Sequence, residues 1–405
     1  MSERSAVVVI VGAGMAGVQT AVALRELGWR DRIVLLGDER HPPYDRPPLS
    51  KAVLLGGADS APVDNIRFDV DFDALGVDLR LGLRAQALRT ADRELITEAG
   101  TLRYDHLVVA TGAHPVALPG TAGLPEVHLL RTLDDAAALR PVLDARQQVV
   151  VVGAGWIGAE FATAARQAGC EVTVVEAADR PLAGALPAVV TAHMRGWYEE
   201  AGVELRTGIP VSLIEPGSVV LADGSRLAAA AVVVGIGARP ATGWLAGSGV
   251  RLGGDSAVLA DDRLRTTAPD VFAVGDCASF PSARYGERML IHHWDNALQG
   301  PRTAAANVLG GDERYDPVPY FWSEQFGRFV QYAGHHTDDD TLLMRGDPSG
   351  ASWTVCWLRG ERLAAVLAVD RPRDLAQARK LITRSASVDP ALVADPGLPL
   401  TSAAR

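Results

Sequence analysis

Short apolar runs that pass into glycine and then into helical spacing dominate the hydrophobic pattern of this chain. The first is Val7–Val11 and the second covers residues 149–152, both rich in β-branched valine. A further apolar run follows each of them, at residues 33–36 and 172–175. Repeated strand–helix–strand patterns of this kind predict two α/β units, each with a parallel sheet.

Glycine has the same spacing after both leading strands. Residues 12–17 read GAGMAG and residues 153–158 read GAGWIG. In a G-x-G-x-x-G fingerprint the first glycine permits a tight turn, and the second lets the backbone approach a pyrophosphate. The third lets the helix pack closely on the strand, so that the helix N-terminus faces the anion. Two copies, each between a strand and a helix, predict two bound dinucleotides.

An acidic residue follows the second strand of each unit, Asp38 in the first and Glu176 in the second. A carboxylate about 20 residues after the fingerprint accepts hydrogen bonds from ribose hydroxyls. In the second unit Ala177 and Ala178 are uncharged and the first arginine is Arg180. This favours NADH over NADPH, because a 2′-phosphate would be repelled there. The first unit then needs a different dinucleotide, and FAD is the natural candidate.

Further apolar runs complete the two units. Strands at residues 107–110 and 232–234 close the first and the second, with a connection rich in Pro and Gly through Pro125. Later, an apolar strand delivers Asp276 just past a glycine. A carboxylate in this position can meet a sugar-alcohol hydroxyl, so we expect the chain to return to its first domain.

A third, more aromatic region begins at about Tyr315. It contains apolar strands at residues 355–358 and 363–369 and helical spacing over residues 375–383. Acidic and basic residues balance over residues 317–405, with ten of each, so the net charge of −10 is carried by the nucleotide-binding part. These features predict a separate C-terminal domain.

Composition excludes several classes of protein. The negative net charge argues against nucleic-acid binding, and no apolar run approaches the roughly 18 residues of a membrane span. The N-terminal apolar stretch is the first strand rather than a signal peptide, so we expect a soluble, cytoplasmic protein. The three cysteines, Cys170, Cys277 and Cys356, lack the spacing of a redox disulfide, a zinc ribbon or an iron-sulfur site.

Several longer strings carry a family resemblance. In order along the chain, together with the two fingerprints, they are PYDRPPLSK at 43–51, ATG at 110–112, RTLDD at 131–135, AVGD at 273–276, PYFWSEQ at 319–325 and RGD at 345–347. This order resembles the FAD-dependent NADH:ferredoxin reductases of bacterial oxygenase systems, of the putidaredoxin reductase type. The similarity covers nearly the whole chain.

The resemblance implies a fold of class α/β, with two Rossmann-like dinucleotide-binding domains, for FAD and NAD, and a C-terminal α+β domain lying over the flavin. The FAD-binding domain would consist of residues 1–114 and 239–314. The NAD-binding domain would be residues 115–238, and the C-terminal reductase domain residues 315–405.

The resemblance also implies site residues. The FAD contacts would be Gly12, Gly14, Ala16, Gly17, Asp38, Arg46, Lys51, Arg131, Asp276 and Trp294. The NADH contacts would be Gly153, Gly155, Ile157, Gly158, Glu176 and Gly237. Lys51 would sit by the flavin ring, paired with Glu160, and these two are the candidate catalytic residues. Lys51 is also one of only two lysines in the chain, and a compact ammonium could stabilise reduced, anionic flavin.

His292 and His293 depart from the family pattern, because relatives commonly have an acidic or small residue there. Adjacent residues on one strand point in opposite directions, and no carboxylate or cysteine cluster joins them, so we predict no metal site. Structural histidines are the favoured interpretation. A pH-sensitive neighbour of the flavin is the alternative.

The predicted function is hydride transfer from NADH to FAD, followed by transfer of single electrons to a ferredoxin of the 2Fe-2S type that feeds an oxygenase. A basic surface must receive an acidic ferredoxin, and Arg302, Arg379 and Lys380 are the docking candidates. No nucleic acid or membrane is expected as a partner, and the protein would be a monomer or homodimer. Two alternatives stay open: a rubredoxin reductase, and a redox-responsive NADH-binding protein of the apoptosis-inducing-factor type.

Overall fold

The structure, a computed structural model, describes residues 5–56 and 64–405 of the chain. The chain folds into two units, each assembled from segments that are distant in sequence. The first unit contains Met1–Asp45, Val63–His114 and Ala238–Pro319, and the second contains Arg46–Pro62, Pro115–Gly237 and Tyr320–Arg405.

Strands outnumber α-helices among the described residues. The strands are β1 (Val7–Val11), β2 (Arg32–Leu36), β3 (Val77–Arg80), β4 (Ala85–Arg89), β5 (Glu94–Thr97), β6 (Gly100–Arg103), β7 (His106–Val109), β8 (Ala113–Pro115), β9 (Val127–Leu129), β10 (Gln148–Val152), β11 (Glu171–Glu176), β12 (Glu204–Thr207), β13 (Val211–Glu215), β14 (Ser218–Leu221), β15 (Arg226–Ala228), β16 (Ala231–Val234), β17 (Ala238–Pro240), β18 (Val258–Leu259), β19 (Val271–Ala273), β20 (Ala278–Ser282), β21 (Glu287–Leu290), β22 (Tyr320–Gln325), β23 (Arg328–Gly334), β24 (Thr341–Arg345), β25 (Trp353–Arg359) and β26 (Arg362–Val369). The α-helices are α1 (Met15–Glu26), α2 (Ala52–Leu55), α3 (Leu133–Asp144), α4 (Trp156–Gln167), α5 (Ala188–Glu200), α6 (Trp294–Val308), α7 (Pro372–Thr383) and α8 (Pro390–Ala394).

A five-stranded parallel sheet forms the centre of the first unit, in the order β19-β7-β1-β2-β3. β1 lies between β2 and β7, and its Val9 pairs with Val34 and Leu107. All three of these residues are buried, which explains why the strands are continuous apolar runs rather than alternating ones. Helices α1 and α6 contact each other, and two three-stranded sheets, β4-β5-β6 and β18-β20-β21, complete the unit.

The second unit contains another five-stranded parallel sheet, in the order β12-β11-β10-β16-β9. β10 lies between β11 and β16, and its Val151 pairs with Val174 and Val233. The antiparallel sheet β13-β14-β15 packs beside it, with Val219 and Leu221 in the shared core. This arrangement repeats the strand–helix–strand geometry of the first unit around the second fingerprint.

The chain from Tyr320 adds an antiparallel sheet to the second unit, in the order β22-β23-β26-β25-β24. Trp353 and Trp357 of β25 are fully buried and share a core with Leu186 and Val190, which lie just before and within α5. Packing therefore explains the two tryptophans of this aromatic region.

A buried ion pair joins α7 to the C-terminal sheet. Arg345 at the end of β24 lies 3.1 Å from the Asp374 carboxylate, and it also donates to the Val393 carbonyl oxygen at 3.1 Å. The Thr354 hydroxyl donates to the same carboxylate at 3.2 Å. These bonds connect α7 and the C-terminal tail to the strands below them.

The predicted fold class is confirmed: two parallel α/β sheets and a C-terminal α+β region are present. The C-terminal helix begins earlier than the predicted 375, at Pro372, because proline is well suited to the first helical position. Within the described residues no helix is long and apolar enough to cross a membrane.

Candidate functional site

Two glycines of the first fingerprint, Gly12 and Gly17, cannot be replaced by any other residue. Gly12 has a φ of +112°, and a β-carbon there would lie 2.3 Å from the Ala110 carbonyl oxygen. A β-carbon on Gly17 would lie 1.8 Å from the Gly12 carbonyl oxygen. Both distances are far below contact. Glycine is therefore required at position 12 by the nearby backbone of Ala110, and at position 17 by the close approach of α1 to the turn after β1.

No contact within the protein requires glycine at position 14. Its φ of −80° suits any residue, and a β-carbon there would meet nothing within 4 Å. It caps α1, whose first turn carries no acidic residue. The open space therefore lies at the positive end of a helix, where a pyrophosphate binds and where a side chain would obstruct it. The residues present fit a dinucleotide such as FAD.

The second fingerprint repeats this arrangement in the second unit. Gly153 has a φ of +104°, and a β-carbon on Gly158 would lie 2.0 Å from the Gly153 carbonyl oxygen. Gly155, with a φ of −80°, again has space, since its nearest neighbour is the Gly235 carbonyl oxygen at 3.8 Å. The same test thus supports a second dinucleotide at α4.

Glu176 is held at the mouth of the second fingerprint. One carboxylate oxygen accepts the Ala154 backbone N–H at 2.8 Å, and the other accepts the Ala178 N–H at 2.9 Å. Each oxygen retains capacity for a ribose hydroxyl. Arg180 donates to Asp179 at 2.9 Å, so the nearest arginine in sequence already has an acidic partner.

The two predicted ribose-binding acids do not occupy equivalent positions. Gly12 donates its N–H to the Leu36 carbonyl oxygen, as Gly153 does to Val175, so Gly37 is the counterpart of Glu176. A β-carbon on Gly37 would lie 2.9 Å from that of Ala13, which leaves no room for a side chain. Asp38 stands one residue further on, exposed, with Arg84 at 3.4 Å. Its contact with FAD stays a prediction.

The other predicted FAD contacts in the first unit approach the same end of the sheet. Ala16 lies beside Gly275, since a β-carbon on Gly275 would be 3.0 Å from that of Ala16, and Asp276 is the next residue. Trp294 begins α6 and donates its indole N–H to Asp45 at 2.7 Å. The structure thus brings the fingerprint helix and the segment carrying Asp276 together.

The two histidines lie after the end of β21, not on a strand as we expected, and His293 caps α6. Burial lowers the pKa of His293 to about 4, although the nearby Asp276 carboxylate opposes the shift. His293 is therefore neutral above that pH, and the pH-sensitive alternative does not apply to it near neutrality. Among the described residues no group of three or more His, Cys, Asp or Glu could hold a metal ion.

Lys51 and Glu160 are in contact in the second unit. The Lys51 ammonium lies 2.6 Å from one carboxylate oxygen, and the two side chains are 19% and 4% exposed. The Ser50 hydroxyl donates to the same oxygen at 2.5 Å. The other oxygen accepts the Ser323 hydroxyl at 2.7 Å. The Glu160 carboxylate thus accepts from three donors, one of which is the partly shielded Lys51 ammonium. A cation fixed in this way can act electrostatically on a bound ring.

The remaining predicted contacts in this unit are also placed. Arg46 donates to the Arg131 carbonyl oxygen at 2.7 Å. Gly237 has a φ of +111° and open space beside it. Ile157 and Ile236 expose 44% and 39% of their large apolar side chains at the fingerprint end of the sheet. Ile236 was not predicted as a site residue, because its position between two glycines was the only signal in the sequence.

Ser50, Ser323 and Gln325 were also missed as site residues. Ser50 and Ser323 lie within strings that carried the family resemblance, but nothing local indicated that both would bond to Glu160.

The thiols take no part in these contacts with Glu160. All three cysteines are buried, and burial raises the pKa of Cys277 to about 11 and that of Cys356 to about 12.

Comparison with known proteins gives whole-length matches. Residues 6–300 match the family model described as pyridine nucleotide-disulphide oxidoreductase, and residues 320–404 match a reductase C-terminal model. Rhodocoxin reductase of Rhodococcus erythropolis is 37% identical over 96% of this chain and 92% of its own length. The ferredoxin–NAD(+) reductase component of the anthranilate 1,2-dioxygenase system of Burkholderia cepacia is 38% identical over 96% and 97%.

A solved structure supports the same assignment. The crystal structure of a covalent putidaredoxin reductase–putidaredoxin complex matches with a TM-score of 0.93 and 34% identity, covering 98% of this chain and 97% of that one. The family resemblance inferred from the sequence strings is therefore confirmed.

The open space at Gly14 and Gly155 generates a prediction. Because a β-carbon meets no crowded protein atom at either position, Gly14→Ala and Gly155→Ala should fold normally. Gly14→Ala should purify with reduced FAD content, and Gly155→Ala should bind NADH at least about tenfold more weakly, since a methyl group obstructs the pyrophosphate. Flavin absorbance and NADH titration measure the two effects.

Two other open glycines provide matched controls. Gly243 in the first unit and Gly184 in the second also have space and lie outside the fingerprints. Gly243→Ala and Gly184→Ala should leave both cofactor affinities unchanged. Normal FAD content in Gly14→Ala would contradict our interpretation of that space.

Proposed function

We propose, because this chain belongs to the pyridine nucleotide-disulphide oxidoreductase family, that it is a reductase that passes electrons from NADH to a ferredoxin serving an oxygenase. The chain is an oxidoreductase whose cofactors are FAD and NADH. FAD, when bound, supplies the step from hydride transfer to single-electron transfer. The proposal includes a cytoplasmic location, a monomeric or homodimeric state, and docking of the ferredoxin at Arg302, Arg379 and Lys380.

The observation that carries the proposal is the combination of two dinucleotide fingerprints with three buried cysteines. Electrons that enter as hydride find no accessible thiol to reduce within the chain. They must leave to an external acceptor. The full-length similarity to reductases of oxygenase systems supports a ferredoxin as that acceptor.

The chain's own residues supply orientation and charge. The two fingerprint helices offer backbone N–H groups to pyrophosphates, and Glu176 offers its carboxylate to a ribose. Lys51 contributes a cation whose position is set by Glu160, and burial keeps water away from the Glu160 carboxylate. No side chain needs to act as a nucleophile.

A basic stripe on α7 supports electron transfer to an acidic partner. Arg373, Lys380 and Arg384 are exposed and recur at a spacing that places them on one side of the helix. No ion pair to these three residues occurs within residues 5–56 and 64–405. Arg379 instead lies over the Tyr320 ring, 4.6 Å from its centroid. This stripe extends the predicted docking site by two residues.

Arg302, the other docking candidate, lies on the first unit. Its guanidinium is 3.1 Å from the Glu26 carboxylate, and both side chains are more than half exposed. Exposed ion pairs of this kind contribute little to stability, about 0–1 kcal/mol. Arg302 can therefore exchange Glu26 for an acidic group on a partner.

The direct test is anaerobic reduction of the purified protein by NADH, followed by mixing with 2Fe-2S ferredoxins and rubredoxins from the same source. We expect rapid bleaching of the flavin absorbance and transfer to a ferredoxin. Fast transfer to rubredoxin alone would favour the rubredoxin alternative. Flavin reduction without transfer to either would favour a redox-responsive binding protein.

Removing the charge of Lys51 tests its role. In Lys51→Met, Glu160 keeps its two serine donors but loses its cation, so we expect flavin reduction by NADH to slow by about 10- to 100-fold. Stopped-flow absorbance gives the rate. Arg226→Met, which removes an exposed cation of the same unit, is the control. An unchanged rate in Lys51→Met would place Lys51 outside the site.

Nucleotide preference can be redirected at the end of β11. Glu176→Ala combined with Ala177→Arg removes the carboxylate that repels a 2′-phosphate and adds a cation for it. The ratio of kcat/KM for NADPH to that for NADH should rise by about 100-fold or more. Glu171→Ala, at the start of the same strand, should leave the ratio unchanged. Equal use of both nucleotides by the unmodified protein would contradict the argument.

Charge reversal tests the docking surfaces separately. Lys380→Glu and Arg302→Glu should each raise the KM for ferredoxin by about tenfold at low ionic strength, and added salt should shrink the difference. NADH-dependent reduction of ferricyanide, a small acceptor, should stay unchanged. Arg226→Glu is the matched charge control. Loss of ferricyanide reduction in Arg302→Glu would mean that Arg302 supports the flavin site instead.

A further inference from the structure

Strand β22 meets one face of helix α4. The three helix residues involved are spaced by four and three positions, which places them in one stripe. Their contacts are Trp156 with Phe321 (ring centroids 4.8 Å apart), Glu160 with Ser323 (2.7 Å), and the Thr163 hydroxyl with the Phe326 backbone N–H (2.9 Å). The contact of the C-terminal sheet with the Glu160 carboxylate is therefore one of three that follow one side of α4.

The orientation of the Ser323 hydroxyl is determined by Gln325. These residues are two apart on β22 and therefore face the same side. The Gln325 side-chain amide donates to the Ser323 oxygen at 3.1 Å. Since a hydroxyl has one hydrogen to donate, and the amide occupies one acceptor site, the serine hydrogen is directed at Glu160. Both side chains are buried, so water does not compete for these bonds.

We propose that Ser323 and Gln325 are positioning residues for hydride transfer, fixing the Glu160 carboxylate and, through it, the Lys51 ammonium. The inference rests on the proposed function. Ser50 and Lys51 both donate to one carboxylate oxygen, which leaves the other free to swing unless Ser323 holds it. The C-terminal region, besides any docking role, therefore completes the electrostatic environment of the reaction.

A purely structural role would produce different behaviour. A serine that only satisfies a buried carboxylate affects the stability of the fold. A serine that sets the position of the ammonium also affects the reduction potential of the flavin, because the cation stabilises the reduced, anionic form. The potential is therefore the measurement that separates the two roles.

The experiment uses the FAD-loaded protein and the variants Ser323→Ala and Gln325→Met. In Ser323→Ala we expect flavin reduction by NADH to slow by about five- to tenfold and the potential to become more negative. This is less than the full effect of losing a hydrogen bond to a charged group, because Glu160 keeps Ser50 and Lys51 as donors. Gln325→Met leaves the serine in place but frees its hydroxyl to rotate. It should change both quantities in the same direction and by less.

Two further variants test the route of the effect. Thr354→Ala removes from the same sheet another buried hydroxyl that donates to a carboxylate, that of Asp374 on α7, and should change neither the rate nor the potential. In a Lys51→Met background, Ser323→Ala should cause no additional slowing, because the group it positions is gone. If Ser323→Ala slowed flavin reduction in the Lys51→Met background by the same factor as in the unmodified protein, the proposal would be overturned.

The remaining outcomes are also decisive. Unchanged rate and potential in Ser323→Ala would overturn the inference while leaving the proposed function intact. If Ser323→Ala does not fold, Gln325→Met decides in its place, and an unaltered potential there overturns the inference. Failure of NADH to reduce the flavin of the unmodified protein would instead count against the proposed function.

Discussion

The architecture depends on a backbone contact that excludes side chains. In both parallel sheets, the third fingerprint glycine approaches the carbonyl oxygen of the first so closely that a β-carbon would lie 1.8 Å away for Gly17 and 2.0 Å for Gly158. This contact presses the start of each helix against its strand, with free N–H groups facing outward at the carboxyl end of the sheet. The position of Ala16 beside the segment carrying Asp276 follows from the same contact.

The two units share this contact but differ at one position, at the end of the second strand of each. In the second unit Glu176 turns back and accepts the Ala154 N–H, which fixes a carboxylate at the fingerprint. In the first unit the equivalent position is Gly37, crowded by Ala13, and the acid is displaced to Asp38. A similar local sequence therefore gives two distinct sites, because a single β-carbon decides whether a carboxylate can stand there.

Features that depend on local sequence were predictable. The fingerprints, the strands beside them and helix α7 follow from residue spacing, and the fold class followed from these. Features that join distant segments were not: Ser323 and Glu160 are 163 positions apart, and the docking of β22 on α4 leaves no periodic signal in either segment. We expected His293 on a strand, whereas it stands at the N-cap position of α6. Nor could periodicity reveal that Gly37, and not Asp38, matches Glu176.

The Lys51–Glu160 pair is not explained by stability. Transferring two charges from water into a shielded environment costs several kcal/mol, and replacing such a pair with apolar side chains is often neutral or stabilising. The pair is nevertheless surrounded by donors from two separate strings of sequence, one containing Ser50 and the other containing Ser323. Three buried thiols offer the protein no redox chemistry of its own. Under the proposed function, this region would instead contribute a cation, that of Lys51, whose position is set by its contact with Glu160.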